Sequence, residues 1–268
     1  MNWKLWASQI GAIARLELKR VLLARRWIGV YMVALAPLFL MFVQSRLSYR
    51  RIQLLDGMTQ TYANLFQLFI LRFGIFISCA IAFSQLFRGD VLEKTLHFYL
   101  LAPVRREIIA FGKYTAGVLL IGVLFAASTI ATHFLAYWRS PAFQSFYFEG
   151  PGIRHLTQYA AVAILASIAY GAVFLLAGLV FKNPGVPAFF LLAWESLNFA
   201  LPPLLQRFSV VHYLQALLPV AVDRGPFAIV TESTSPVLGV PILLVATAAL
   251  VATSGWLVRY TQITYSAD

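Results

Sequence analysis

Six long runs of mostly apolar residues dominate this chain, covering 27–44, 62–87, 108–138, 156–181, 186–205 and 237–260. A helix that crosses a bilayer needs about 20 such residues. The expected fold is therefore an all-α membrane protein, one domain over 1–268 with six transmembrane helices. Composition points the same way. The chain is 60% hydrophobic and only 12% charged, whereas a soluble domain carries about 25% charged residues. Its 22 Phe, 12 Tyr and 6 Trp suit contact with lipid tails and headgroups.

The net charge of +11 would suggest nucleic acid in a soluble protein. Here the basic residues gather at the ends of the apolar runs, which fits anionic lipid and a topology signal instead. With the N-terminus inside, thirteen Lys and Arg fall on the inner side and seven on the outer, with Arg72 inside the second run. The bias predicts cytoplasmic N- and C-termini, and the membrane is expected to be the inner (cytoplasmic) one. Cys79 is the only cysteine, so no intrachain disulfide forms.

Residues 3–26 mix Leu5, Ile10, Ile13, Leu16, Val21 and Leu23 with a strongly basic set. This pattern predicts an amphipathic helix at the cytoplasmic interface; the alternative is an ordinary basic flank on the first span. Pro202 and Pro203 end the fifth run. The apolar stretch from Phe208 to Leu218 is too short to span, and reads either as a short helix dipping into the outer leaflet or as an outer loop.

The segment 88–107, between the second and third runs, is the most informative. It opens with Arg88, Asp90, Glu93 and Lys94, continues through Leu96, Phe98, Tyr99, Leu100 and Leu101, breaks at Pro103, and resumes at Arg105 and Arg106. Asp90 and Lys94, and Glu93 and His97, are i, i+4 neighbours on a helix. Two readings fit: a short helix on the membrane offering its charged end to a cytosolic partner, or a solvated connecting loop.

This segment resembles the cytoplasmic loop of the permease subunits of ATP-binding-cassette (ABC) transporters, type-2 exporter family. The matching positions are Asp90 or Glu93, Thr95-Leu96, Tyr99-Leu100-Leu101, Pro103-Val104-Arg105, Glu107 and Gly112-Lys113. Elsewhere the likeness is one of layout. The resemblance implies a coupling helix docked on a separate ABC ATP-binding subunit. Asp90, Glu93, Lys94, Thr95, Leu96, His97, Tyr99, Arg105, Arg106 and Glu107 would then be the ATPase-coupling residues. It also implies a second permease copy, homo- or heterodimeric, completing the substrate pathway.

The chain itself is expected not to be an enzyme and to hold no cofactor. A phosphate-cradling loop needs G-x-x-x-x-G-K-[ST]. The nearest string, Phe111-Gly112-Lys113-Tyr114, lacks the first Gly and the hydroxyl. ATP and Mg would belong to the partner. No His, Cys or acidic cluster has metal-ligand spacing.

Charges within apolar runs face protein or water, because lipid exposure is costly. Arg72 and Glu195 both lie ten residues in from the outer ends of their runs, so they sit at matching depth as a possible pair or as pathway groups. His133 and Asn198 are further pathway candidates, with interhelical hydrogen bonding as the alternative. Ala163, Ser167 and Gly171 form a small-residue stripe for close packing, within the chain or between copies. A different functional class also fits, an ATPase-independent secondary transporter or membrane scaffold. It predicts mid-membrane carboxylates in broken helices, and Glu195 alone qualifies.

Overall fold

The computed structural model describes residues 3–47, 55–92, 104–138, 140–181, 183–222 and 234–260. Among them there is no β-strand, and five helices are long and apolar enough to cross a membrane. The protein is an all-α, multi-pass membrane protein. Long apolar side chains cover its outside, among them Met32, Phe39, Phe189, Phe190, Val237 and Val245, each more than 65% exposed. In water such a surface would aggregate; in a bilayer it is the solvent contact.

Helix α1 (Trp3–Leu23) ends at Ala24, whose backbone is extended, and a 3-10 turn (Arg25–Trp27) leads into α2 (Ile28–Leu47). The basic N-terminal stretch is thus a separate helix, as its pattern predicts. The second spanning helix is continuous but not uniform. It comprises α3 (Leu55–Asn64), a π-helical stretch (Leu65–Ile75) and α4 (Phe76–Leu92). It starts seven residues before the apolar run, and Thr59 in this added stretch has a protein partner. Tyr137 donates its hydroxyl hydrogen to Thr59 Oγ1 at 3.1 Å.

Helices α5 (Arg106–Tyr137) and α6 (Gly152–Val180) form the centre of the bundle. α5 packs on α1, α2 and α6, and α6 also packs on α4. The last spanning helix, α10 (Pro236–Tyr260), closes against both α5 and α6. These three long helices match the runs at 108–138, 156–181 and 237–260 to within four residues at each end.

The fifth run does not form one helix. Residues 186–205 give α7 (Gly185–Ser196), a 3-10 turn (Asn198–Ala200) and the start of α8 (Pro203–Gln206), which leads to α9 (Val210–Gln215). At 1.5 Å per residue, the 12 residues of α7 reach about 18 Å, short of the roughly 30 Å hydrocarbon core. Pro202 and Pro203 cannot donate to a continuing helix. The stretch Phe208–Leu218 enters the protein: Val211 and Leu214 are fully buried, and α9 packs on α6 and α10.

Small residues set the helix spacing at the centre. The Phe83 ring of α4 lies between Gly117 of α5 and Gly171 of α6; a Cβ at either glycine would come within 2.6 Å of Phe83 Cζ. Ala163, Ser167 and Gly171 are buried inside the chain, which resolves the small-residue stripe as internal packing. Gly171→Ala is expected to cost about 1–3 kcal/mol by overpacking, with part of the loss recovered by Phe83→Leu. Thermal unfolding of detergent-purified single and double variants measures both effects.

Candidate functional site

Two groups of buried polar residues stand out, one at the end of the bundle nearest segment 88–107 and one around α7. The first begins with α1. Glu17 is the one acidic residue among residues 1–26. On a helix it shares a face with Ile10, Ile13, Ala14 and Val21, and that face packs on α5. Gly112 lets it approach, since a Cβ there would lie 2.7 Å from Ile13 Cγ2. One residue on, Lys113 is fully buried and its Nζ donates to Glu17 Oε1 at 2.5 Å and to the Leu86 carbonyl at 2.8 Å.

Lys113 therefore joins three elements: α1, the end of α4 and the start of α5. Neighbouring residues extend the ties. The Arg105 guanidinium stands over the Trp6 ring of α1 at 5.2 Å. Arg106 Nη1 donates to the Arg259 carbonyl at 3.1 Å, and Arg259 pairs with Glu107, joining α5 to the last turn of α10. Glu107 also sits in the first turn of α5, where the helix dipole favours an acid. The polar face of α1 is outward, with Lys4, Arg15 and Lys19 exposed beside exposed Leu5 and Leu16.

The segment these ties bracket is described only at its ends. α4 runs on to Leu92, so Asp90 belongs to its last turns, and α5 starts at Arg106. Glu93, Lys94, Thr95, Leu96, His97 and Tyr99 lie outside the described residues. Of the expected coupling residues, Arg105, Arg106 and Glu107 meet their own chain in the contacts above.

The second group centres on Glu195, near the end of α7 and 5% exposed. Its carboxylate accepts from Ser209 Oγ at 2.6 Å, from the Val210 amide at 3.0 Å and from the Val211 amide at 3.2 Å. It thus satisfies the free N–H groups that begin α9, which a helix start within apolar surroundings would otherwise leave unpaired. This explains the break in the fifth run: α7 ends where its carboxylate meets the returning chain. Asn198 is buried and its Nδ2 reaches the Gln206 carbonyl at 3.5 Å, the outer limit of a hydrogen bond.

Tyr170 of α6 lies within electrostatic reach of both Glu195 and Arg72. Arg72 belongs to the π-helical stretch. Beside Glu195 is a cavity of about 190 Å³ lined by Phe76, Tyr170, Val173, Leu191, Trp194, Glu195, Phe208 and Val210. The sequence gives no hint of this cavity, because its walls come from four separate stretches of the chain.

His133 lies elsewhere, fully buried in an aromatic cluster. Its Nδ1 is hydrogen-bonded to the Tyr147 hydroxyl. The Tyr62 and Tyr137 rings lie 4.7 and 4.9 Å from it. Aromatic packing of this kind stabilises by about 0.5–1.5 kcal/mol per pair beyond burial. Among the described residues, no group of three or more His, Cys, Asp or Glu could hold a metal ion. No family model matches the chain, and no curated protein matches it.

Proposed function

We propose that this protein is the membrane-spanning permease subunit of an ABC exporter, driven by a separate ATP-binding subunit that docks on the segment between α4 and α5. The chain makes six crossings, the fifth being α7 completed by the turns that follow it. Both termini are cytoplasmic, the membrane is the inner (cytoplasmic) one, and a second copy or a related permease completes the pathway.

The observation that carries this reading is the bracketing of segment 93–103 by side-chain ties. A pull on that segment reaches α4 and α5 first. Through Lys113 it reaches α1, and through Arg106 and Glu107 it reaches α10. A motor that binds one of two arrangements of this segment more tightly biases the whole bundle towards that arrangement. The motif quoted above supplies the partner's class, and the exposed Lys and Leu of α1 supply an interfacial footing for the lever.

The test is co-purification. Replacing residues 93–101 by a Gly/Ser linker of equal length is expected to remove at least about 90% of the Mg-ATPase activity that purifies with the wild-type chain from its native membrane. The expected effect has its physical source in the loss of the docking segment's anchor side chains. A wild-type chain that brings down no ATPase overturns the reading, as does labelling of His97→Cys from the outer face. The buried carboxylate Glu195 in a broken helix favours the other class, a secondary transporter driven by an ion gradient. Transport that persists in liposomes without any ATPase would establish it.

A further inference from the structure

The cavity beside Glu195 has the chemistry of a cation cage. Phe76, Tyr170, Trp194 and Phe208 supply aromatic faces, and the buried Glu195 carboxylate supplies a negative charge at its wall. Aromatic faces attract a cation through the ring quadrupole, most strongly where water is excluded. Nearby carboxylate charge adds to that attraction in the same low-dielectric setting. The Tyr170 hydroxyl belongs to the same cavity wall as Glu195 and is buried without a hydrogen-bond partner, which leaves it available to a bound ligand. Arg72, although within electrostatic reach of Tyr170, is not part of the lining, whereas Glu195 is.

Two further observations define what fits. The volume of about 190 Å³ holds a headgroup of about ten heavy atoms, not a polymer or a whole lipid. Phe208 is 76% exposed, so the cavity reaches the surface of the molecule, where an attached hydrocarbon body can extend outward. We propose that this cavity binds a lipophilic organic cation, its ammonium group held among the aromatic rings against Glu195. Binding as such needs no ATPase; only the further step, that the cation is exported cargo, rests on the exporter reading. A binding assay on the permease alone therefore separates the two.

The probe is benzyltrimethylammonium, with its uncharged carbon isostere 2,2-dimethylpropylbenzene as the control, in equilibrium dialysis against the detergent-purified full chain. The cation is expected to bind saturably and about tenfold or more tighter than the isostere, in line with a desolvated cation–π contact. Glu195→Gln, which keeps an acceptor for α9, is expected to weaken the cation about tenfold and leave the isostere unchanged. Phe208→Ala, at the exposed rim and outside the packed core, is expected to weaken it several-fold. Equal binding of cation and isostere, or undiminished cation binding by Phe208→Ala, overturns the proposal. A folded Glu195→Gln protein, judged by its unfolding temperature, that binds the cation like the wild type also overturns it.

Discussion

Glu17→Ala is expected to destabilise the protein by about 3–5 kcal/mol, the usual loss when one partner of a buried ion pair is removed. Lys113 is fully buried and Glu17 is 2% exposed, so truncating the acid takes the negative charge away from a buried ammonium beneath α1. The Leu86 carbonyl would remain as an acceptor, which offsets part of the cost but cannot replace the charge. Lys113→Met alone should also destabilise the protein, since it removes the cation that faces the buried Glu17 carboxylate. The double variant Glu17→Leu with Lys113→Met should recover most of the loss, because a packed apolar pair often equals or exceeds a buried ionic one. Unfolding temperatures of the four proteins in detergent close the cycle. Single variants that each cost less than about 1 kcal/mol would show that the pair is hydrated and holds nothing.

The pair has a second value beside its energy. In some proteins a buried polar or ionic group fixes register even where it adds little stability, and the same is expected here. The Gly112–Ile13 contact fixes how close α1 comes, and the pair fixes where along α5 it sits. A double variant that is stable yet fails to bring down an ATPase would separate these two contributions.

Glu195→Ala should release α9. Ser209 and Val211 are fully buried, so removing the carboxylate leaves a hydroxyl and two amide donors without their acceptor. Each unsatisfied buried donor costs about 1–3 kcal/mol, and the group as a whole should cost about 2–4 kcal/mol because a loosened segment regains some solvent. The effect should be local. Val211→Cys, in a chain whose Cys79 is replaced by Ala, is expected to react with a small maleimide at least about tenfold faster when Glu195 is also Ala. Glu195→Gln should raise the rate far less, because its amide oxygen still accepts. An unchanged labelling rate would mean that α9 is held by packing alone.

The sequence is most legible where structure depends on local periodicity. α5, α6 and α10 follow their apolar runs closely because nothing along them demands a distant partner. α1 is equally readable, since basic and apolar positions alternate with helical spacing. Legibility fails where one residue answers another far along the chain. Hydropathy makes 186–205 a single span, yet α7 stops because amides some fifteen residues onward need an acceptor. Glu17 carries a signal, one acid on the apolar face of a basic helix, but its partner is 96 residues away. His133 and Tyr147 are close in sequence, whereas Tyr62 and Tyr159 come from other helices. The π-helical stretch leaves no trace in a window where nearly every residue is apolar. Arg72 and Glu195, matched by depth in the sequence, are linked here through Tyr170, which lies within electrostatic reach of both.

That stretch, Leu65–Ile75, has a consequence for motion. Its amides bond one residue further along than in an α-helix, which is rare over more than a single turn. Above it, Tyr62 points into the His133 cluster; below it, Phe76 and Phe83 point into α6. Rewinding it to 3.6 residues per turn would twist one half of the rod against the other while both remained straight. A displacement at one end of this helix would then reach the other end as rotation, without a bend in either half.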